Sequence, residues 1–376
     1  MTERIYLDFN ATTPLADEVA AKMQSLLTTH YGNPSSLHWA GVPARDAVEA
    51  ARCQVASLLQ CDATEIVFTS GGTEANNFAL KGVFFRQRNR HSAPHFIVSQ
   101  IEHPAILEPC RFLERLGAEV TQVPVDRSGC IDPDDVRRAI RPSTVLISIM
   151  HANNEVGTIQ PIEDIARIAR ECGVLLHTDA AQSVGKIPVD VESLGVDLLS
   201  IASHKLYGPK GVGALFVREG VDLEPLLHGA GHEAGRRAGT ENVASIIGLG
   251  AACHVAHDWI VRPQIVRLRD HFWQRLRERF GDQVVLNGHP ERRLPNTLNV
   301  SFRGMNGGDI LSKLPNVAAS TGSACHAGEA HLSPVLAAMG VPADVGFGAI
   351  RFSLGRTTTQ EEIDSVVEDL GHVLAQ

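Results

Sequence analysis

Between residues 45 and 220 the chain repeats one pattern: a strand-length apolar run, then an amphipathic stretch of helical period. The runs are EIVFTS (65–70), HFIVSQ (95–100), EVTQVPV (119–125), TVLISIM (144–150), VLLHTD (174–179), VDLLSIA (196–202) and GVGALFV (211–217). Several are apolar throughout rather than at alternate positions, which fits strands covered on both faces. PIEDIARIARECG (161–173) shows the intervening element, with Pro161 near its start, acids in its first turn and Gly173 just past its end. Such alternation predicts an α/β domain built on a mostly parallel sheet.

The pattern changes past residue 240. TENVASIIGLGAACHVAHDWI and the next twenty residues read as long helices. Then come a strand at NTLNVSF (296–302), a helix near 308–314, a strand near 317–321, the strand AIRFSLG (349–355) and a last helix. That helix opens on Thr359-Gln360-Glu361-Glu362, a capping-box pattern. These elements predict a smaller α+β domain, and 376 residues are enough for two domains.

Several function classes are disfavoured. With 34 Lys+Arg against 43 Asp+Glu the net charge is −9, which argues against nucleic acid as the main partner. No run of 18 apolar residues occurs, so no membrane span is expected. MTERIYLDFN lacks an apolar signal core. Seven cysteines without a CxxC pair argue against a disulfide framework or a zinc ribbon. A cytoplasmic location, no metal, and mostly inert core thiols are the expectations.

Polar groups stand directly after several of the strands. SIASHKLYGPKGVG (200–213) puts Lys205 at a strand end, just before a Gly208-Pro209 turn. HTDAAQS ends a strand on Asp179, QIEHPAI places His103 after another, and MHANNEVG places Asn153, Asn154 and Glu155 after a third. SGGTEANN (70–77) sets two glycines and Thr73 between a strand and a helix, where backbone can approach an anion. Each has an ordinary alternative: a solvated lysine, a capping Asp, a structural His, a tight turn. Ligands of open α/β sheets sit beyond the strand C-termini, so together these groups could converge on one crevice. A lysine amine, a carboxylate for a ring nitrogen and a phosphate cradle are what pyridoxal phosphate needs.

Two further stretches bear on the reaction. STGSACHAGEAHLSP (320–334) surrounds Cys325 with small, polar and glycine residues, so it reads as an exposed loop carrying a nucleophilic thiol, with His326 beside it. AIRFSLGR supplies Arg351, whose guanidinium fork suits an α-carboxylate, and Arg356, a structural ion-pair candidate.

Over nearly its whole length the chain resembles the cysteine desulfurases of the NifS/IscS type, in the class V aminotransferase branch of fold-type I pyridoxal-phosphate enzymes. The motifs are YLDFNATTPL, GNPSSLH, FTSGGTEANN, IEHPAI, HANNEVG, HTDAAQSVGK, SHKLYGPKGVGAL, RRAGTENVASIIGLG, TGSAC and IRFSLGR. The resemblance implies a seven-stranded, mostly parallel sheet flanked by helices in a large cofactor domain over 15–255. The small domain, 1–14 with 256–376, would carry the cysteine loop. Lys205 would form the Schiff base, His103 stack on the ring, Asp179 pair with its nitrogen and Gln182 bond its phenolic oxygen. Gly72, Thr73 and His204 would bind phosphate, joined by Thr240 from the other subunit of a homodimer. Asn154 and Arg351 would orient L-cysteine, and Cys325 would become a persulfide that passes sulfur to an acceptor such as an iron–sulfur scaffold.

Two stretches depart from the family. Many relatives have Ser-Gly-His-Lys where this chain has Ala202-Ser203-His204-Lys205, which displaces or removes a phosphate-binding hydroxyl there and leaves Ser203 as the candidate. The ACH start and SPVL end of the cysteine loop are similar to selenocysteine lyase, the alternative activity. A non-catalytic sulfur-assembly scaffold is the alternative of another class.

Overall fold

The computed structural model describes residues 4–29, 31–260, 263–321 and 332–375. Twelve strands run along these residues. They are β1 (Ile5–Tyr6), β2 (Ile66–Thr69), β3 (His95–Ser99), β4 (Glu119–Val123), β5 (Thr144–Ser148), β6 (Leu175–Asp179), β7 (Leu198–Ala202), β8 (Gly213–Val217), β9 (Val284–Asn287), β10 (Thr297–Phe302), β11 (Val317–Ala318) and β12 (Ala349–Ser353).

The seven expected runs form one sheet in the order β2-β8-β7-β6-β5-β3-β4. β3 pairs in parallel with β4 and β5, β5 with β6, and β6 with β7. β8 alone runs the other way, antiparallel to both β7 and β2. The C-terminal ends of β2, β3, β5, β6 and β7 therefore emerge on the same edge of the sheet. That shared edge brings residues from five separate stretches together.

Helices cover both faces, which is why the strands have no polar face. One face packs the helices Gly41–Leu59, Ile162–Cys172 and Val243–His257 around Phe68, Ile147, Leu176, Ile201 and Phe216. The other packs Gly72–Gln87 and Pro104–Glu114 around Phe96, Val98, Leu146 and Leu215. Each fully buried side chain of this size contributes about 1.5–3 kcal/mol. β4, at one edge, is the exception and exposes Glu119 and Gln122. β2, at the other edge, is shielded by an ion pair. The Phe68 amide donates to Glu233 Oε2 and the Ile66 carbonyl accepts from Arg52 Nη1. Arg52 and Glu233 hold each other through two bonds of 2.8 Å.

A second sheet, β12-β10-β9, is antiparallel and packs on the helices Gln264–Phe280 and Gln360–Leu374. The capping box forms as expected: Thr359 Oγ1 accepts from the Glu362 amide, and Glu362 Oε2 accepts from the Thr359 amide. The expected strand near 317–321 covers only Val317–Ala318, and it pairs in parallel with β1 at the other end of the chain. Neither β1 nor β9 is evident as a strand in the sequence, because two to four residues give no measurable periodicity. The same core cluster takes Ile5 and Leu7, so the N-terminal residues pack with the C-terminal sheet. No described helix is long and apolar enough to cross a membrane.

Candidate active site

Beyond the shared strand edge lies a cavity of about 340 Å³, within the usual size of a small-molecule site. Of the residues singled out from sequence, Gly72, Thr73, His103, Asn154, Asp179, Gln182, His204, Lys205 and Arg351 line it. Ser203 and Thr240 do not. Ser203 Oγ is buried without a partner, and a Cβ on Gly208 would stand 2.1 Å from it. The short 3₁₀ turn Ser203–Lys205 thus points Ser203 toward Gly208. Thr240 is exposed to solvent. Cys325 and His326 lie outside the described residues.

Lys205 follows β7 directly. Its Nζ donates to the carbonyls of Asn10 at 2.7 Å and Ala11 at 2.8 Å. Burial, then the nearby Arg351 guanidinium, bring its amine down to about 8, against the pull of Asp179 and Asp8. An amine so tuned carries an appreciable neutral, nucleophilic fraction near neutral pH.

Asp179 is the last residue of β6 and is 7% exposed. Its Oδ1 accepts from the Ala181 amide at 3.0 Å, as a turn-capping Asp does. Its Oδ2 accepts from Asn76 Nδ2 at 2.7 Å, and Asn76 comes from the first turns of the helix Gly72–Gln87. Asn76 Oδ1 is buried without a partner. Gly72, Thr73 and Asn76 at the start of that helix line the cavity, with Gly71 at φ 150° in the N-cap position, a conformation that suits glycine.

His103 is the N-cap of the helix Pro104–Glu114, its Nδ1 accepting from the Ala105 amide at 3.0 Å. That bond places the proton of the neutral ring on Nε2. Burial and Lys205 favour the neutral ring, while Asp179 opposes. Burial, with Lys205, Lys210 and Lys186, brings His204 down to about 4, so it too stays neutral. Arg351 projects from β12 and lines the cavity. Nη1 donates to the Asn154 carbonyl at 2.9 Å and Nη2 to Asp8 Oδ1 at 2.8 Å.

Besides Asn76, sequence reasoning missed Asn10 and Glu102 here. Asn10 is 1% exposed and is the hub of the site. Its carbonyl accepts from Lys205 and Gln182, and its Oδ1 from Lys186 and Asn296. Its Nδ2 donates to Thr297 and the Asn154 carbonyl. Glu102, beside His103, is buried and raised to about 8, chiefly by desolvation. Its Oε1 accepts from Ser99 and the Met150 amide, while Oε2 has no partner. The one available signal was position: Asn10 lies in YLDFNATTPL and Glu102 in IEHPAI.

The described thiols separate by environment. Burial pushes Cys61, Cys110 and Cys253 up to about 12 and raises Cys130, so these stay protonated. Cys61, Cys110, Cys130 and Cys253 are buried or packed on the core, as expected of most of the thiols, and Cys53 and Cys172 are the exposed exceptions among those described. Neither lines the cavity.

Residues 5–366 match the family described as aminotransferase class-V. A cysteine desulfurase IscS of Dictyoglomus turgidum is 49% identical over 100% of this chain and 95% of the relative. Among solved structures, one described as a NifS-like protein has a TM-score of 0.91 at 37% identity, covering 99% of both chains. Another, described as SspA in complex with cysteine, has a TM-score of 0.84 at 38% identity, covering 93% of this chain and 98% of that one.

Proposed function

The chain belongs to the aminotransferase class-V family, and from that premise we propose that it is a pyridoxal-phosphate-dependent L-cysteine desulfurase. The observation that carries this reading is the meeting, in one cavity, of the depressed Lys205 amine, the Asp179 carboxylate and the open helix start at Gly72. The donor set fits the cofactor: an amine for its aldehyde, a buried carboxylate for its ring nitrogen, and backbone amides for its phosphate. When bound, pyridoxal phosphate supplies an electron sink for the α-carbon of an amino acid.

The protein's own groups do the rest. Asp179, fixed by Asn76 and the Ala181 amide, would pair with the ring nitrogen and keep it protonated. With pyridoxal phosphate bound, His103 would stand beside its ring, with the Nε2 proton available for transfer. Gly72, Thr73 and neutral His204 would hold the phosphate, and Gln182 would bond the phenolic oxygen. Ser203 has no part in this set, because it faces Gly208. Asn154 and Arg351 orient the substrate carboxylate. Cys325 takes the substrate sulfur as a persulfide, and L-alanine leaves. A protein acceptor, such as an iron–sulfur scaffold, would then receive the sulfur in the cytoplasm.

The active unit in this reading is a homodimer, with Thr240 completing the phosphate site of the other subunit. Two features support it: Thr240 lies outside its own chain's cavity, and Leu27, Tyr31, Leu37 and Trp39 are 67%, 74%, 86% and 81% exposed within thirteen residues. The division into a domain over 15–255 and another of 1–14 with 256–376 belongs to the same reading. It is supported by the packing of Ile5 and Leu7 with the second sheet.

The cysteine loop favours selenocysteine lyase as the second reading. Comparing turnover of L-cysteine and L-selenocysteine on the purified protein decides between them. Alanine formed from L-cysteine is the expected result; turnover of selenocysteine alone would promote the second reading. No turnover of either, with no visible cofactor absorbance, would leave a non-catalytic scaffold.

A further inference from the structure

The amide of Gln182 is fixed at both ends. Its Nε2 donates to the Asn10 carbonyl at 3.0 Å, and its Oε1 accepts from Lys186 Nζ at 2.6 Å. One N–H of Gln182 is left over, and Gln182 lines the cavity that holds Lys205, Asp179 and His103. Lys186 does not line that cavity. It borders a neighbouring one of about 410 Å³ that shares only Lys205 with it.

Lys186 stands in a costly place. Its second hydrogen bond goes to Asn10 Oδ1 at 2.9 Å, so both acceptors are neutral amide oxygens rather than a carboxylate. Burial drives its amine well below the ordinary lysine range, and Lys205 and Arg351 add to the effect. Its two bonds reach the two residues that also contact Lys205 or line its cavity.

We propose that Lys186 is a positioning residue that, through Gln182 Oε1, turns the amide so its spare Nε2–H meets the phenolic oxygen of bound pyridoxal phosphate. The inference rests on the cofactor reading above. A donor at that oxygen stabilises the more negative, deprotonated form of the chromophore, so it lowers the pH midpoint of the loaded enzyme's visible spectrum. Without Lys186 the amide loses its second anchor and donates there for less of the time.

The test is a spectral titration of the pyridoxal-phosphate-loaded wild type, Lys186→Met, Gln182→Ala and the double variant. Lys186→Met and Gln182→Ala should each raise the midpoint by roughly half to one pH unit, the effect of one lost hydrogen bond. The double variant should match Gln182→Ala alone, and Lys186→Arg should keep the midpoint close to that of the wild type. Lys186→Ala, which leaves room for water, should reproduce the rise if the Met variant folds poorly. A wild-type midpoint in the Met and Ala variants overturns the proposal. So does a shift that persists undiminished in the Gln182→Ala background, since Lys186 would then act by charge on Lys205. A protein that takes up no pyridoxal phosphate overturns the functional reading itself.

Discussion

Asn76 and Asp179, 103 positions apart in sequence, are joined by a 2.7 Å hydrogen bond inside the site. The bond ties the helix that follows the glycine loop to the carboxylate at the end of β6. It makes one unit of two motifs that read as separate signals in the sequence. Replacing Asn76 by Leu should leave a buried carboxylate short of a donor and cost about 1–3 kcal/mol. Denaturant unfolding of the cofactor-free protein measures that loss, and faster loss of pyridoxal phosphate on dialysis should accompany it.

Lys205→Ala should abolish the covalent attachment of pyridoxal phosphate. Reduction of the wild type followed by proteolysis should yield a modified Lys205 peptide. Modification at Lys186 or Lys210 instead would show that the site has been assigned to the wrong amine.

Cys325→Ala should retain the cofactor and lose alanine formation from L-cysteine by orders of magnitude, as removal of a covalent nucleophile does. Activity on L-selenocysteine should survive far better, because selenium is the better leaving group. Alkylation after exposure to L-cysteine should find the extra sulfur on Cys325 and on none of the other six thiols.

Arg52→Met should destabilise the protein by about 3–5 kcal/mol, since it leaves Glu233 buried and unpaired. The side chains are 10% and 2% exposed, and they also satisfy the edge of β2. Chemical denaturation of wild type and variant at one pH gives the difference directly.

His177 sits in the middle of the sheet between Ser148 and Ser200, and burial lowers its pKa to about 3. Below pH 6.5 the unfolded chain protonates this histidine while the folded one does not. Its contribution is therefore complete above 6.5 and is lost as pH falls toward 3, at about 1.4 kcal/mol per pH unit. His177→Gln should flatten the acid limb of the stability curve by that slope, measured by urea unfolding between pH 6.5 and 4.

Six of the seven strands of the main sheet could be read from sequence because burial on both faces leaves four- and five-residue runs mostly apolar, while the edge strand β4 was marked by its valines and its place in the alternation. The site residues at their ends were legible for the same reason: an Asp, a Lys or a His stands out against an apolar run. Asn10 was not, because its partners lie 144 to 343 positions away and nothing near it in sequence marks it as buried. β1 and β11 were hidden or overextended because each is set by its pairing with the other rather than by its own two residues. Ser203 looked like a cavity residue from its neighbours in sequence, but within a single 3₁₀ turn His204 and Lys205 line the cavity and Ser203 does not.

The pairing of Ile5–Tyr6 with Val317–Ala318 also sets a schedule for synthesis. At about 5–20 residues per second, a ribosome needs roughly a quarter of a minute to a minute to reach the partner strand. Until then Ile5 and Leu7 have no core to enter, and Asn10 cannot reach Thr297 or Ser353. The main sheet can assemble on the nascent chain, but the hub that joins both lysines is completed only when translation is nearly finished. A truncated product could carry Lys205 and Asp179 and still lack the finished cavity.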